Sequence, residues 1–336
     1  MLSVLIHHWC TRFSYKLPLG DLGVRLFFVI SGFLITGILL GARNRVSNGA
    51  GGLGGELGAF YARRTLRIFP LYYLVLLVAA GLDLGSVRQT LPWHLAYGSN
   101  IYFALRGAWQ DCISHLWSLS VEEQFYLVWP LCVLLAPRRL LPPLILAAIA
   151  VGPAFRLWAL AVANPIAASV LAPGCFDALG FGALLALQGC QRWRALLAAG
   201  GAGLAVTLAV GFNHPGADFV VVWQPFAAAA AFAGLLGGVA EFSGRPVLAP
   251  LRWAPLLYLG KISYGVYLIH LFVPEALARF GLHTAPLVAP VIYAAITIAL
   301  AALSWQIFEA PMNRLKRHFP YGRRPAARLQ PVGGDR

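Results

Sequence analysis

The chain has 336 residues, of which 59% are hydrophobic and only 11% are charged. Soluble domains carry about 25% charged residues, so this composition excludes an ordinary soluble protein and indicates an integral membrane protein. The formal net charge of +14 does not indicate a nucleic-acid partner, because the basic residues lie between apolar runs and not across a polar surface.

The apolar windows predict an all-α, polytopic membrane helix bundle of about ten transmembrane helices, the first of which is short or truncated. Residues 1–10 are apolar but cover only about half of a roughly 20-residue span. They also lack the basic start and the small-residue cleavage site of a signal peptide. The other spans are predicted at 22–40, 70–84, 124–137, 140–163, 170–189, 195–212, 219–240, 254–274 and 286–308.

Two adjacent histidines, His7 and His8, lie late in the short first helix. A neutral imidazole can take a proton from a hydroxyl near neutral pH, which is what a general base for acyl transfer must do. The alternative is that both side chains cap a helix end in water at the membrane surface. The residues by themselves favour neither interpretation.

The second span contains Ser31 and Gly32 within a run of bulky residues. Small residues let helices approach closely in lipid, so we favour a packing role for Ser31 over that of a nucleophile. The segment 41–58 is rich in glycine and is predicted to be a mobile linker, and Pro70 is predicted to start the next span.

Three arginines precede this span. Arg63, Arg64 and Arg67 stand at i, i+1 and i+4, so two guanidinium groups can share one helical face. Guanidinium binds phosphate oxygens in bidentate fashion, which makes the group a candidate phosphate site. The alternative is a positively charged helix end that contacts anionic lipid headgroups.

Most lysines and arginines fall in alternate connections or beside them. The positive-inside rule then places both termini in the cytoplasm. We predict a transmembrane domain over residues 1–312 and a basic, disordered cytoplasmic tail over residues 313–336 that lies against membrane lipids.

An acidic pair, Glu122 and Glu123, lies where polar residues give way to an apolar run. A charged side chain at the centre of a span costs roughly 2.5–3.5 kcal/mol on insertion scales, so an intramembrane carboxylate pair is a candidate functional site. If this segment is helical, His115, Ser118 and Glu122 share one stripe, which continues to Tyr126.

A second acid lies inside an apolar segment. It is Asp177, and Arg156 on the preceding span is a possible partner.

The five cysteines show no CxxC motif and no metal-ligand spacing with the histidines, so we predict neither a disulfide framework nor a metal site.

Five stretches, in order, resemble the motifs of the membrane-bound acyltransferase family 3, which O-acetylates bacterial surface polysaccharides and some macrolides. They span nearly the whole chain: GVRLFFVISGFLIT (23–36), FYARRTLRIFPLYY (60–73), WSLSVEEQFY (117–126), ISYGVYLIH (262–270) and FEAP (308–311). The resemblance implies O-acyl transfer from acyl-CoA, with acetyl-CoA the expected donor, to a hydroxyl of a cell-surface carbohydrate, glycolipid or related acceptor. It also implies a bacterial cytoplasmic (inner) membrane protein with no bound cofactor.

The resemblance also suggests roles for individual residues. It makes His7 or His8 the catalytic histidine, assisted by Glu122 or Glu123, and leaves open which of each pair acts. The remaining predicted substrate-binding residues are Arg63, Arg64 and Arg67 for the CoA phosphates, and Asn100, His115, Ser118 and His270.

The chain departs from the family pattern at its start, where the usual acidic lead with Arg-Ala is missing. We therefore expect a misassigned start codon or a truncated first helix. Two other functions remain open: a polytopic transporter, since transporters also keep intramembrane acids, and a catalytically inactive scaffold.

Overall fold

Apolar stretches of this length fold as helices because, in lipid, each segment must satisfy its own backbone hydrogen bonds. The computed structural model describes residues 1–10, 17–189 and 191–322, and the regular secondary structure in these ranges is helical. The α-helices are α1 (Leu2–Trp9), α2 (Leu19–Ser47), α3 (Leu53–Gly81), α4 (Val87–Leu95), α5 (Ser99–Arg106), α6 (Leu116–Leu135), α7 (Leu141–Val162), α8 (Pro165–Val170), α9 (Phe176–Gln188), α10 (Trp193–Asn213), α11 (Asp218–Glu241), α12 (Ala254–Ile269), α13 (Phe272–Arg279), α14 (Ala289–Ser304) and α15 (Ala310–Arg314), with a π-helical turn at Trp305–Glu309 between the last two.

Six helical segments of the described residues are long and apolar enough to cross a membrane. Helices α12 and α13 satisfy the same criteria together but are bent by 51° at the break between them. Helix α1 has 8 residues and α9 has 13, so each is shorter than a full span. The predicted fold class, an all-α polytopic membrane bundle, is confirmed. The six segments are Leu19–Ser47, Leu53–Gly81, Arg138–Val162, Trp193–Asn213, Asp218–Glu241 and Ala289–His318.

The connection between α2 and α3 is much shorter than the linker predicted at 41–58. Both helices extend into that segment, and their ends are joined by Arg45, whose guanidinium donates to both carboxylate oxygens of Glu56 at 3.0 and 2.8 Å. Pro70 lies inside α3 and not at its start. The glycines gave a misleading signal because this bidentate ion pair stabilises helix ends that local propensity does not favour.

Helices α2 and α9 pack closely at Gly32. A Cβ atom at this position would lie 2.0 Å from the carbonyl oxygen of Leu179, so no larger residue fits without moving the backbone. The small residues of the second span therefore do bring helices together, as predicted.

A buried ion pair connects α7 to α9. Arg156 donates to Asp177 at 2.6 Å, and both side chains are fully buried, which confirms the predicted partnership. Arg25 of α2 lies 3.9 Å from the same carboxylate, and the carbonyl oxygen of Gly174 accepts from both guanidinium groups. Removing one member of a buried pair typically costs about 3–5 kcal/mol, so this network is a strong constraint on how the helices meet.

The remaining packing predictions concern the cysteines and the tail. Cys10, Cys132 and Cys175 carry free thiols, and Cys190 lies outside the described residues. The predicted tail is described only as far as Gly322, and residues 315–322 pack against α3.

Candidate active site

Two cavities lie between α1, α2, α6 and α12. The arginine cavity, of about 180 Å³, is lined by polar residues of α2, α3, α6 and α12. The histidine cavity, of about 440 Å³, opens at the other end of α2 and α6. The polar and aromatic lining of the arginine cavity includes Ser31, Arg64, Arg67, Glu122, Glu123, Tyr126, Tyr264 and Tyr267, and that of the histidine cavity includes His7, His8, Asp21, Trp109, Ser114, His115, Trp117, Ser169 and Tyr267.

The two cavities share a wall made of Val4, Val24 and Tyr267. Helix α6 passes from one cavity to the other, with His115 at its first end and Glu122 seven residues later. At 1.5 Å per residue this separation is about 10 Å along the helix axis. The structure therefore places the acidic pair and the histidines in neighbouring cavities.

In the arginine cavity, a chain of hydroxyl groups leads to Glu122. The Tyr126 hydroxyl donates to Oε1 of Glu122 at 2.9 Å, and Ser31 Oγ lies 2.5 Å from the Tyr126 oxygen. Because the single proton of Tyr126 is used by the carboxylate, Ser31 is the donor in the second bond. The guanidinium of Arg64 lies 5.4 Å from the centre of the Tyr126 ring. Glu122 is thus held rigidly by its own helix and by α2.

Glu123 is held differently. Its Oε1 atom is buried and has no hydrogen-bond partner among the described residues. The side chain lines the arginine cavity together with Arg64 and Arg67. An unpaired buried oxygen is costly, so this atom is available to accept a hydrogen bond from a bound molecule.

Arg63 is separated from the other two predicted phosphate ligands. Its Nη1 atom donates to the carbonyl oxygens of Lys316 at 2.9 Å and Phe319 at 3.3 Å, and its guanidinium lies 5.0 Å from the centre of the Tyr321 ring. Consecutive helical residues point about 100° apart, so Arg63 and Arg64 cannot share one face. Arg63 bonds to the C-terminal segment of residues 315–322, whereas Arg64 and Arg67 line the arginine cavity.

His8, which lines the histidine cavity, is hydrogen-bonded to His270, which lies behind the lining. Nδ1 of His270 lies 2.6 Å from the carbonyl oxygen of Tyr267, and Nε2 of His270 lies 3.0 Å from Nδ1 of His8. A carbonyl oxygen only accepts, so His270 carries its hydrogen on Nδ1. His270 is fully buried and therefore neutral, which leaves a lone pair on its Nε2 atom to accept from the Nδ1 hydrogen of His8.

This hydrogen-bond chain distinguishes His8 from His7. The hydrogen of a neutral His8 is fixed on Nδ1, so its Nε2 atom carries a lone pair. The His7 ring packs on Gly20, where a Cβ atom would lie 2.7 Å from its Cδ2 atom, and its buried Nδ1 has no hydrogen-bond partner among the described residues. Within the described residues, a second side chain is hydrogen-bonded to His8 and none to His7 Nδ1.

Comparison with known proteins identifies the family of the chain. The model of the acyltransferase-3 family, described as an acyltransferase domain, matches residues 1–306. The chain belongs to this family.

Relatives of this acyltransferase-family protein include a "Peptidoglycan O-acetyltransferase OatA" from Listeria monocytogenes, which is 25% identical over 94% of this chain and 54% of its own length. The "Nodulation protein 10" of Rhizobium leguminosarum bv. viciae is 29% identical over 88% of this chain and 82% of its own length. An uncharacterized protein of Haemophilus influenzae is 36% identical over 34% of this chain and 49% of its own length. The chain spans about half the length of the first and third of these relatives. No solved structure matches it significantly.

Two of the predicted substrate-binding residues of this acyltransferase-family protein are involved in helix packing. The amides of Asn100 and Gln124 exchange two hydrogen bonds, of 3.1 and 2.9 Å, which join α5 to α6. Ser118 Oγ lies 2.5 Å from the hydroxyl of Tyr267, which donates to the carbonyl oxygen of His115 at 3.1 Å. Asn100 and Ser118 therefore form hydrogen bonds between helices that surround the two cavities.

His115 lies beside the histidine pair. Its Nε2 atom is 3.0 Å from the carbonyl oxygen of Leu268, and its ring centre is 4.9 Å from that of His270. It therefore lines the cavity with its ring and directs Nε2 into the protein.

Two residues of the site were not predicted from the sequence. Tyr267, in the shared wall, stands three residues before His270 on the same helical face, a spacing that could have indicated it. Asp21, in the histidine cavity, stands between Gly20 and Leu22, just before the first motif at 23–36, and belongs to no motif itself.

Proposed function

We propose that this protein is a membrane O-acyltransferase that moves an acyl group, with acetyl as the expected one, from acyl-CoA to a hydroxyl of a carbohydrate acceptor. The observation that carries the proposal is the pair of cavities sharing one wall, with guanidinium groups in one and an oriented imidazole in the other. Family membership and the O-acetyltransferase name of a relative support the reaction type.

The donor is proposed to enter the arginine cavity. Arg64 and Arg67 would bind its phosphates, because guanidinium groups match phosphate oxygens in geometry and charge. The pantetheine arm, which contains amide N–H groups, would then pass Glu123, whose buried Oε1 atom lacks a donor. The proposal therefore gives the carboxylates a part in donor binding, in place of the assistance to a catalytic histidine expected from the resemblance, because they line the arginine cavity and His8 lines the other one.

The chemical step is proposed at the shared wall. Nε2 of His8 takes the proton of the acceptor hydroxyl as the oxygen attacks the thioester carbon, with His270 fixing the imidazole through its Nδ1 hydrogen. The new C–O ester bond forms, the C–S bond breaks, and His8 returns the proton to the leaving thiolate. The products are the acylated acceptor and free CoA.

The orientation in the membrane follows from the same proposal. CoA thioesters are cytoplasmic molecules, and the basic connections obey the positive-inside rule if the arginine cavity faces the cytoplasm. The histidine cavity would then open on the outer side of a bacterial cytoplasmic membrane, where surface carbohydrates are available.

The proposal is tested with the full chain in nanodiscs and radiolabelled acetyl-CoA. We expect His8→Gln to lower the turnover at least 100-fold, since general-base catalysis contributes about 10²–10⁴-fold, and His7→Gln to lower it less than tenfold. The exposed His214→Gln is the matched control and should be unaffected. A wild-type protein that neither transfers nor hydrolyses acetyl from acetyl-CoA would contradict the proposal and favour a transporter or an inactive scaffold.

A further inference from the structure

The histidine cavity has an aromatic wall that the proposed chemistry does not use. The rings of Trp109 and Trp117 lie with their centres 6.4 Å apart and tilted by 55°. Trp117 is buried, with 7% of its surface exposed, whereas Trp109 is 49% exposed. One ring therefore forms the inner part of the wall and the other reaches the mouth.

Both rings are supported from behind. Trp117 packs edge-on against Phe28 of α2 at 5.9 Å, and Trp109 packs against Phe103 of α5 at 6.0 Å. Because neighbouring elements restrict these side chains, a bound molecule would meet a preformed surface and little side-chain ordering would oppose binding.

The lining of the cavity also includes polar residues. Asp21 and His8 both line it. The Oδ1 atom of Asp21 lies 3.6 Å from Nε of Arg25, which is longer than a hydrogen bond, and its side chain is 32% exposed. The carboxylate therefore keeps acceptor capacity toward the cavity.

A cavity lined by two indole rings, a carboxylate and an oriented imidazole suits an amphipathic ring that bears hydroxyl groups. A pyranose has an apolar face of C–H groups that packs on an indole ring, while its hydroxyl groups point outward from the ring edge. The volume of about 440 Å³ is within the roughly 300–1,000 Å³ of ordinary small-molecule sites.

We infer that Trp109 and Trp117 form a saccharide-binding subsite that presents one pyranose unit of the acceptor, with Asp21 accepting a hydrogen bond from one of its hydroxyl groups and another hydroxyl directed at His8. This inference rests on the proposed function for the identity of the reaction. The recognition of a sugar ring rests on the cavity alone.

The test measures binding of a saccharide probe directly, so that it does not depend on turnover. The probes are N-acetylchitotetraose and, as an acyclic polyol, sorbitol, titrated against the full chain in nanodiscs. We expect Trp109→Ala to weaken tetrasaccharide binding at least tenfold and Trp109→Phe, which keeps an aromatic face, to weaken it less than threefold. Sorbitol should bind at least tenfold more weakly than the tetrasaccharide.

The matched control is Trp93→Ala. Trp93 is also partly exposed and also packs on an aromatic residue, Tyr102, but it does not line the cavity. It should bind the tetrasaccharide as the wild type does. Equal binding by Trp109→Ala and wild type, equal weakening by both alanine variants, or sorbitol binding as tight as that of the tetrasaccharide would each overturn the inference.

A kinetic measurement separates the inference from the proposed function. If acetyl transfer to the tetrasaccharide occurs, Trp109→Ala should raise the KM for the saccharide more than it lowers kcat. Transfer with an unchanged saccharide KM in Trp109→Ala would overturn the subsite and leave the proposed function intact. A wild-type protein that neither transfers nor hydrolyses acetyl from acetyl-CoA, with tetrasaccharide binding still lost in Trp109→Ala, would overturn the proposed function and leave the subsite.

Discussion

At the scale of single residues, the histidine pair shows how hydrogen bonds select one nitrogen. A backbone carbonyl of α12 fixes the hydrogen of His270, and His270 in turn fixes that of His8. In the proposed mechanism, the second histidine would do for the imidazole what an acidic residue does in a hydrolase triad, without a buried charge. The family resemblance implied that one of two adjacent histidines acts, and this contact is the basis for proposing His8.

The role of His270 can be tested with two substitutions of similar size. His270→Gln places an amide oxygen where it can accept from His8, whereas His270→Leu removes every acceptor. We expect the glutamine variant to keep at least a tenth of wild-type kcat and the leucine variant to lose at least 100-fold, with the KM for acetyl-CoA changed less than threefold in both. The measurement is initial rates from pH 6 to 9. Equal activity of the two variants, at equal thermal stability, would show that His270 only fills space.

At the scale of elements, α3 presents its arginines to two different partners. The side toward the cavity carries Arg64 and Arg67, and the adjacent side carries Arg63, which holds the C-terminal segment of residues 315–322. Glu56 strengthens this attachment, because its Oε1 atom also accepts from the backbone N–H of Gly322 at 2.8 Å. The segment is therefore attached to α3 at both of its ends, by Arg63 at one and by Glu56 at the other.

This attachment predicts an effect on the donor. Glu56→Gln should weaken the ion pair with Arg45 and loosen the C-terminal segment, because a neutral amide accepts less strongly than a carboxylate. We expect the KM for acetyl-CoA to rise about three- to tenfold with little change in kcat, and the C-terminus to become more sensitive to protease. Glu241→Gln, at an exposed glutamate of α11, is the control. An unchanged protease sensitivity would contradict the proposed link between this carboxylate and the C-terminal segment.

At the scale of the whole molecule, the two cavities open toward opposite ends of α2. Along α2, Asp21 lines the histidine cavity, Val24 belongs to the shared wall, and Ser31 lines the arginine cavity. A donor on one side and an acceptor on the other would then meet at Val4, Val24 and Tyr267. In the proposed mechanism, the acyl group would then pass from one side of the membrane to the other.

The orientation of the whole protein can be measured by labelling. The labels are introduced in a background with the native cysteines replaced by serine. Ser47→Cys lies at the C-terminal end of α2, toward the arginine cavity, and Gln89→Cys lies on α4. Both positions are exposed. We expect a membrane-impermeant maleimide to label Gln89→Cys in intact cells and Ser47→Cys only after lysis. The reverse pattern would refute the positive-inside assignment and place the arginine cavity outside the cell.

The sequence by itself determined the class of fold, since apolar runs long enough to cross a bilayer can satisfy their backbone only as helices. It also determined most of the chemical groups of the site, because charged residues such as Glu122 and Arg64 stand out in an apolar chain. The Arg156–Asp177 pair was foreseeable for the same reason: a buried acid needs a cation.

The tertiary structure alone decided which of these groups act together. Asn100 and Ser118 are polar like site residues but pack between helices, and Arg63 bonds to the segment 315–322 although it adjoins Arg64 in the chain. Tyr267 became visible only as the wall of both cavities. The physical reason is that spacing along one helix fixes which face a residue occupies, whereas the neighbour on that face comes from a distant segment whose position depends on packing.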